Sequence, residues 1–582
     1  MTTLKKSLLL KGIPASGGFA FGEARIIFKW VQSIEEHLIP ESQVDNEIEK
    51  LDNAVDETLV ELEKWRKSAG QKIGGPVAKI FDSQMMIASD REFLKRVKEE
   101  IKSDRKNAAY VYSRLIEETV SPLRVSPDPY MRQMVYDIEA VSQRIINHLA
   151  GLGEHQEAVF PPDCVFVAKE FTPGEVLSLY ERKAAAIVTT GGSAVTHMAL
   201  IARSLLIPAV VGVEQAHLKI RSGDRVVVDG DEGIVRVNLP AEEWSELRRR
   251  KVKLTGRHIE RLQKLPQFPP RTADNKEIEL AANIDLPGPI DDILASKKIG
   301  VGLYRTEFLY LQNGKFPSED QQFEVYDRVA ARYHPQAVVI RTFDLGSDKY
   351  FSDDRQLRES NPALGWRGIR AALDMPKIFR DQLRAILRAS KRGNIRILLP
   401  MIADIAELRK AMSLLRRSMV DLRKEKMAFD QEIKVGVMIE VPSAAVAAEA
   451  LAERVSFFSI GSNDLTQYTL AADRDNERLA KIFNPLHPAV LRLIKLSIDA
   501  ARSHNIPIAV CGEMSGDPLN IPLLVGMGIN QLSMSPSRLF NACQIVSKMR
   551  CDDAVRLADE VLRMKNLKEV EGRLLEYNMS LQ

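Results

Sequence analysis

The chain has 582 residues, enough for two to four domains that each bury a core of their own. Its 82 basic and 79 acidic side chains leave a net charge of +3, which removes any bulk electrostatic case for binding nucleic acid or an anionic membrane. Cys164, Cys511, Cys543 and Cys551 form neither a zinc pattern nor a disulfide framework, Leu8-Leu9-Leu10 is too short for a signal-peptide core, and no apolar segment reaches membrane-spanning length; a soluble cytoplasmic protein is expected.

Short β-type runs between residues 8 and 28 surround Gly12-Ile13-Pro14-Ala15-Ser16-Gly17-Gly18, whose glycines and proline mark tight turns. From about Glu35 to Leu149 helical periodicity takes over, in Val44 to Trp65, Val77 to Ile87, Phe93 to Ile101, Ala108 to Val120 and Val135 to Leu149, interrupted at Gly74-Gly75-Pro76 and Ser121-Pro122. Strands resume at Cys164 to Ala168, Ala186 to Thr189, Ala209 to Val213, Arg225 to Asp229 and Ile234 to Val237. The pattern predicts an α/β domain, residues 1–30 and 150–238, with a helical bundle, residues 31–149, inserted into it. Such an insertion usually serves a partner or a lid.

Gly191-Gly192-Ser193-Ala194-Val195-Thr196-His197 and the Ala/Leu/Ile-rich segment after it read as turn, N-cap and helix, with His197 in the first helical turn. A helix N-terminus carries unpaired N–H groups and the positive dipole end, which favours a neutral imidazole before reaction and an anion such as phosphate after it. His197 therefore reads as a nucleophile that accepts phosphate; a structural histidine at a helix cap fits the same local pattern.

Residues 239–270 are dense in Arg, Lys and Glu with apolar residues spaced through them, the pattern of an exposed connecting helix. Beyond it, in residues 271–582, eight β-type runs alternate with helical segments: Ile278 to Asn283, Gly300 to Tyr304, Ala337 to Thr342, Ile395 to Pro400, Ile433 to Glu440, Val455 to Ile460, Ile506 to Cys511 and Gln531 to Met534. Eight βα units predict a (β/α)8 TIM barrel, whose active site belongs at the carboxyl ends of its strands. Those ends carry Arg305, Arg341, Glu440, Asn463-Asp464 and Cys511. Two carboxylates at neighbouring strand ends can hold Mg²⁺, and arginines beside them supply planar donor forks for phosphate or carboxylate, so a small phosphorylated acid is the expected substrate. Any one of these arginines and acids could equally be pairing to stabilise a loop. Cys511 suits buried packing, and its ordinary pKa of about 8.5 also leaves it a proton to give. His487 and His504 read as loop and surface histidines.

With these residues in place, the chain resembles Enzyme I of the bacterial phosphotransferase system, the phosphoenolpyruvate–protein phosphotransferases, over essentially its whole length. The likeness rests on the glycine-rich start, Gly191-Gly192 through His197 to Arg203-Ser204, Gly302 to Leu309, Asn361 to Arg367, Asp381 to Ser390 and Phe457 to Tyr468. It implies that His197 is phosphorylated and that Glu440 and Asp464 bind Mg²⁺. It further implies that Arg305, Arg341, Asn463, Asp464 and Arg474 hold phosphoenolpyruvate, and that Cys511 protonates the enolate of pyruvate. By the same resemblance the helical insertion docks the small carrier HPr, the histidine domain swivels, and the barrel forms a homodimer; the relay serves sugar uptake or regulation. Departures are Ala194-Val195-Thr196 after Ser193, where the family usually has Arg-Thr-Ser, the run Tyr136 to Val141 in place of an Ala-Asp-Val-Arg-Asp type, and Gln84 where histidine is frequent. A dikinase or phosphoenolpyruvate synthase would need a large ATP-binding domain, and only about ten residues precede the glycine-rich start. The alternative from another class is a catalytically weak regulatory sensor of phosphoenolpyruvate that acts through partner binding.

Overall fold

The computed structural model describes residues 7–27, 34–72, 75–124, 129–151, 163–192, 197–205, 207–230, 233–240, 243–244, 265, 268–285, 287–288, 290–311, 316–345, 359, 361–473, 479 and 482–581. The chain divides into two compact units, Met1–Thr255 and Gly256–Gln582. The division falls in the expected connecting helix, most of which, residues 245–264, lies outside the described residues.

The first unit is built on eight strands: β1 Leu8–Lys11, β2 Ile13–Ser16, β3 Phe19–Ile26, β4 Val165–Ala168, β5 Ala186–Thr189, β6 Ala209–Val211, β7 Arg225–Asp229 and β8 Ile234–Val237. They form one sheet in the order β1-β8-β7-β3-β4-β5-β6-β2. The central run β3-β4-β5-β6 is parallel and the flanking pairs are antiparallel. Parallel strands covered on both faces read as unbroken apolar runs, and every residue of β4 and of β5 is buried.

Between β3 and β4 the described residues make five α-helices, α1 Val44–Lys72, α2 Gly75–Ala88, α3 Arg91–Asp104, α4 Ala108–Arg124 and α5 Pro129–Leu149. Ser121-Pro122 does not interrupt the fourth of them, because Pro122 lies inside α4 near its end. There the missing N–H deprives only the carbonyl of Glu118, an exposed residue where water can take the bond. The bundle is fastened to the sheet domain at helix α6, Pro173–Glu181, which opens with a capping box between Thr172 and Glu175. Arg144 of α5 donates to Thr172 Oγ1 at 3.0 Å and lies 4.0 Å from the centre of the Trp65 ring of α1. Gly174 is what lets that ring approach, since a Cβ there would sit 2.1 Å from it.

In the second unit β9 Glu279–Ile284, β10 Val301–Tyr304, β11 Val338–Arg341, β12 Ile395–Leu399, β13 Lys434–Ile439, β14 Phe457–Ile460, β15 Ile508–Val510 and β16 Gln531–Met534 close into an all-parallel barrel. Several strands stop one residue short of the apolar runs, leaving Thr342, Pro400, Glu440 and Cys511 just past the ladder on the carboxyl rim. Leu303, Val339, Leu398, Met438, Phe457 and Cys511 pack together in its interior. Gly302 keeps that interior open to Ser533, whose Oγ a Cβ would approach to 2.3 Å.

Replacing Gly174 by Ala should force Trp65 out of its place, at a cost of about 1–3 kcal/mol for overpacking. Calorimetry should show the melting transition of the first unit falling and that of the barrel unit unchanged; a variant that melts like wild type would mean the ring is not held by this contact.

Candidate active site

All the strand-end residues read from the sequence that are described lie on the carboxyl rim, because in a parallel barrel every strand delivers its last residue to the same face. Arg305 follows β10; its backbone N–H donates to Ile284 O at 2.9 Å and its Nη1 stands 3.2 Å from Asp285 Oδ1. Arg341, the last residue of β11, reaches Glu307 Oε1 and Asp344 Oδ2, each at 3.0 Å. Burial works against its charge, but Glu307, Asp344 and Glu440 outweigh that and hold its pKa above the ordinary guanidinium value.

Glu440, directly after β13, is fully buried. Its Oε1 accepts from the Met401 N–H at 2.6 Å, with Met401 itself in the left-handed region at φ 58°. Its Oε2 has no hydrogen-bond partner among the described residues. Burial, then the like charges of Asp464 and Asp344, push its carboxyl up to about 8. Asn463 and Asp464 stand in the first turn of the helix Ser462–Leu470, where the dipole favours an anion. The carboxylates of Asp344, Glu440 and Asp464 offer oxygens that all lie within 4.8 Å of one another. Three hard oxygen donors, one of them buried without a partner, fit a divalent cation of the Mg²⁺ type.

Two residues of the mouth, Asp344 of this set and Arg367 beside it, were not picked out by strand-end reading. Asp344 stands three residues past Arg341 on the same loop, so extending the strand-end search by one turn would have found it. Arg367 had no such signal: it lies far from any strand end, yet it donates to both oxygens of Asp344, at 3.0 and 2.7 Å, and stands 3.4 Å from Asp464. Burial again opposes its charge, and Asp344 and Asp464 outweigh it.

Cys511 is 2% exposed and belongs to the barrel core as well as to the rim. Its thiol donates to Ile460 O at 3.4 Å, its carbonyl accepts from Asn283 Nδ2 at 2.9 Å, and burial pushes the thiol pKa up. Asn463 Oδ1 accepts from the Glu513 N–H at 3.4 Å. His487 caps the helix Pro488–Ser503 through Nδ1, and His504 pairs with Glu449 at 2.9 Å. In the first unit, helix α7, His197–Ser204, begins at His197 itself. The His197 side chain, Ser193 to Thr196 and Arg474 lie outside the described residues. Gln84, one of the departures, is buried in the bundle and donates to Asp137 at 3.3 Å.

Comparison with known proteins gives concordant results along the chain. Residues 11–133 match the N-terminal domain of the PEP-utilising enzymes, residues 160–233 their mobile domain, and residues 259–551 their PEP-binding domain. The chain is 37% identical over 561 residues to the phosphoenolpyruvate-protein phosphotransferase of Geobacillus stearothermophilus, covering 96% of each protein. It is 38% identical to that of Bacillus subtilis, covering 96% of this chain and 98% of the relative, and 35% identical to that of Staphylococcus carnosus, covering 98% and 99%.

The fit of a cation to the three acids can be measured as heat stability. A divalent cation at a hundredfold excess over its Kd should stabilise the barrel unit by about 2.7 kcal/mol. Glu440→Gln should remove most of that gain while leaving the cation-free protein no less stable, since the amide does not bear the cost of burying a charge. An unchanged cation-induced shift in Tm would exclude Glu440 from the site.

Proposed function

The chain belongs to the phosphoenolpyruvate–protein phosphotransferase family, and from that premise we propose that it takes the phosphoryl group of phosphoenolpyruvate onto His197, passes it to a histidine of a small HPr-type carrier, and releases pyruvate. The observation that carries this reading is the barrel mouth, where three buried acids stand among Arg305, Arg341 and Arg367. That arrangement suits a small substrate bearing both a phosphoryl group and a carboxylate.

Arg305, Arg341 and Arg474, with Asn463, hold the two anionic ends of the substrate and keep the phosphorus in line with its attacker, and Asp464 would meet the substrate through the bound cation. Mg²⁺, bound through Glu440 and Asp464 with Asp344 beside them, would offset charge on the phosphoryl oxygens. The neutral imidazole of His197 attacks phosphorus, and the bond from phosphorus to the enol oxygen breaks. Cys511 keeps its proton on Sγ at neutral pH because burial raises the thiol pKa, and gives it to the methylene carbon of the enolate, so that pyruvate leaves as the keto form. His197 and the mouth belong to different units, so the two transfers require those units to reorient. The helical insertion is the proposed surface for the carrier, the barrel is proposed to pair with a second copy, and the cytoplasm is the proposed location. No described helix is long and apolar enough to cross a membrane.

With phosphoenolpyruvate and Mg²⁺, wild-type protein should gain an acid-labile, base-stable phosphate, and His197→Ala should gain none; labelling of that variant at the wild-type rate would put the nucleophile elsewhere. Cys511→Ser should still label His197 but hand protonation of carbon to solvent. With stereospecifically labelled phosphoenolpyruvate in deuterated water, wild type should give a methyl group of one handedness and Cys511→Ser a racemic one. Unchanged stereochemistry at full turnover would assign the proton to another group.

A further inference from the structure

Among the described residues, the three mouth arginines are not held alike. Arg341 and Arg367 share Asp344, so both are tied to the acid cluster. Arg305 is tied instead to Asp285, the first residue past β9, which stands apart from that cluster. Asp285 is also the largest influence on the Arg305 charge, holding its pKa up against burial. The contact with Asp285 occupies one nitrogen of a five-donor fork, Nη1, and the Arg305 backbone N–H is fixed to Ile284 O on the same strand end.

Gly288, three positions after Asp285, is itself clamped. Asp291, 1% exposed, accepts from the Gly288 N–H through Oδ2 and from the Tyr333 hydroxyl through Oδ1. Arg332 reaches the same turn, 3.5 Å from Asp291 and 3.4 Å from Gly288 O. Asp291 stands in the first turn of the helix Ile290–Ser296, so its bonds tie Gly288 to that helix start and, through Tyr333, to the end of the helix Glu319–Tyr333.

We propose that Asp285 is a positioning residue for Arg305, and that the Tyr333–Asp291–Gly288 clamp holds Asp285 in place, so that the site meets its anionic substrate with one guanidinium already oriented. The inference rests on reading Arg305 as a substrate-binding group. A long side chain that is free in the empty site must lose its rotamer freedom on binding; one already paired through Nη1 does not, and its remaining donors stay available. The effect belongs to binding rather than to the chemical step, because the orientation is the same before and during transfer.

The test is steady-state pyruvate release by the full-length protein with Mg²⁺ and carrier. Asp285→Asn should raise the KM for phosphoenolpyruvate about tenfold and leave kcat within about twofold, as expected for losing a charged hydrogen bond. Asp285→Glu should recover part of the loss, and Tyr333→Phe should raise KM in the same direction by a smaller factor. Arg305→Lys serves as the reference. If Asp285 acts through Arg305, adding Asp285→Asn to Arg305→Lys should cost nothing further. Additive effects, or an Asp285→Asn variant with unchanged or lower KM, would overturn the proposal. An Arg305→Lys variant with wild-type KM would instead overturn the substrate-binding role of Arg305, whatever Asp285 does. Should Asp285→Asn fail to fold, Asp285→Glu decides: a KM raised with kcat kept, and no further rise when it is added to Arg305→Lys, supports the pairing, whereas an unchanged KM or a fully additive effect overturns it.

Discussion

Asp344 accepts from Arg341 at 3.0 Å and from Arg367 at 2.7 Å, and its carboxylate lies within 4.8 Å of those of Glu440 and Asp464. None of these charges is tolerable alone, because a buried ion costs several kcal/mol unless a partner offsets it. The mouth is therefore a shared network: Arg341 is held by both Glu307 and Asp344 and Arg367 by both Asp344 and Asp464, so each guanidinium keeps an acid when one is removed, whereas removing an arginine leaves the acids to repel. Glu440 shows the residual imbalance, with its carboxyl pushed up to about 8 by burial and by Asp464 and Asp344. A cation is the group that would bring the set to balance, and it would do so where the unpartnered Oε2 lies.

The barrel makes that crowding affordable. An all-parallel closed sheet delivers eight carboxyl ends to one rim, and the first residues past the strands, Arg305, Thr342 and Cys511, still bond through their N–H groups to the neighbouring strand, which fixes where their side chains start. Two residues past β12, the Met401 N–H turns to Glu440 instead. Below the rim the interior is apolar, so charges at the mouth face a low-dielectric floor that strengthens their mutual attraction. Cys511 sits at the boundary of the two layers. Its burial among Leu303, Val339 and Met438 is what raises the thiol pKa, so its packing in the core is compatible with the proton donation proposed for it.

The first unit solves a different problem, that of carrying five inserted helices without distorting the sheet they interrupt. Trp65, Arg144 and Thr172 join the bundle to the start of α6, and the absence of a side chain at Gly174 sets how closely the ring can lie. The buried guanidinium there has its pKa lowered by desolvation, a cost that the Thr172 hydrogen bond and the Trp65 ring face reduce. His197 opens a helix in this same unit, so the orientation of that helix and of the bundle are set by one sheet.

How much of this could be read beforehand divides along a physical line. The strands of both sheets, the helical insertion and the rim positions of Arg305, Arg341, Glu440, Asp464 and Cys511 were legible, because periodicity and burial are local patterns and a parallel barrel converts strand order into a shared face. Helix α4 was misjudged at Pro122, where a local rule about proline gave way to the small cost of one exposed carbonyl. The role of Asp344 as hub, the arrival of Arg367 and the tie between Asp285 and Arg305 were decided only by the tertiary structure. Arg367 stands 23 positions from Asp344 and 97 from Asp464, and nothing in those separations encodes a contact. Ion pairing depends on distance and on the dielectric between groups, and both come into being only when the chain has closed around them.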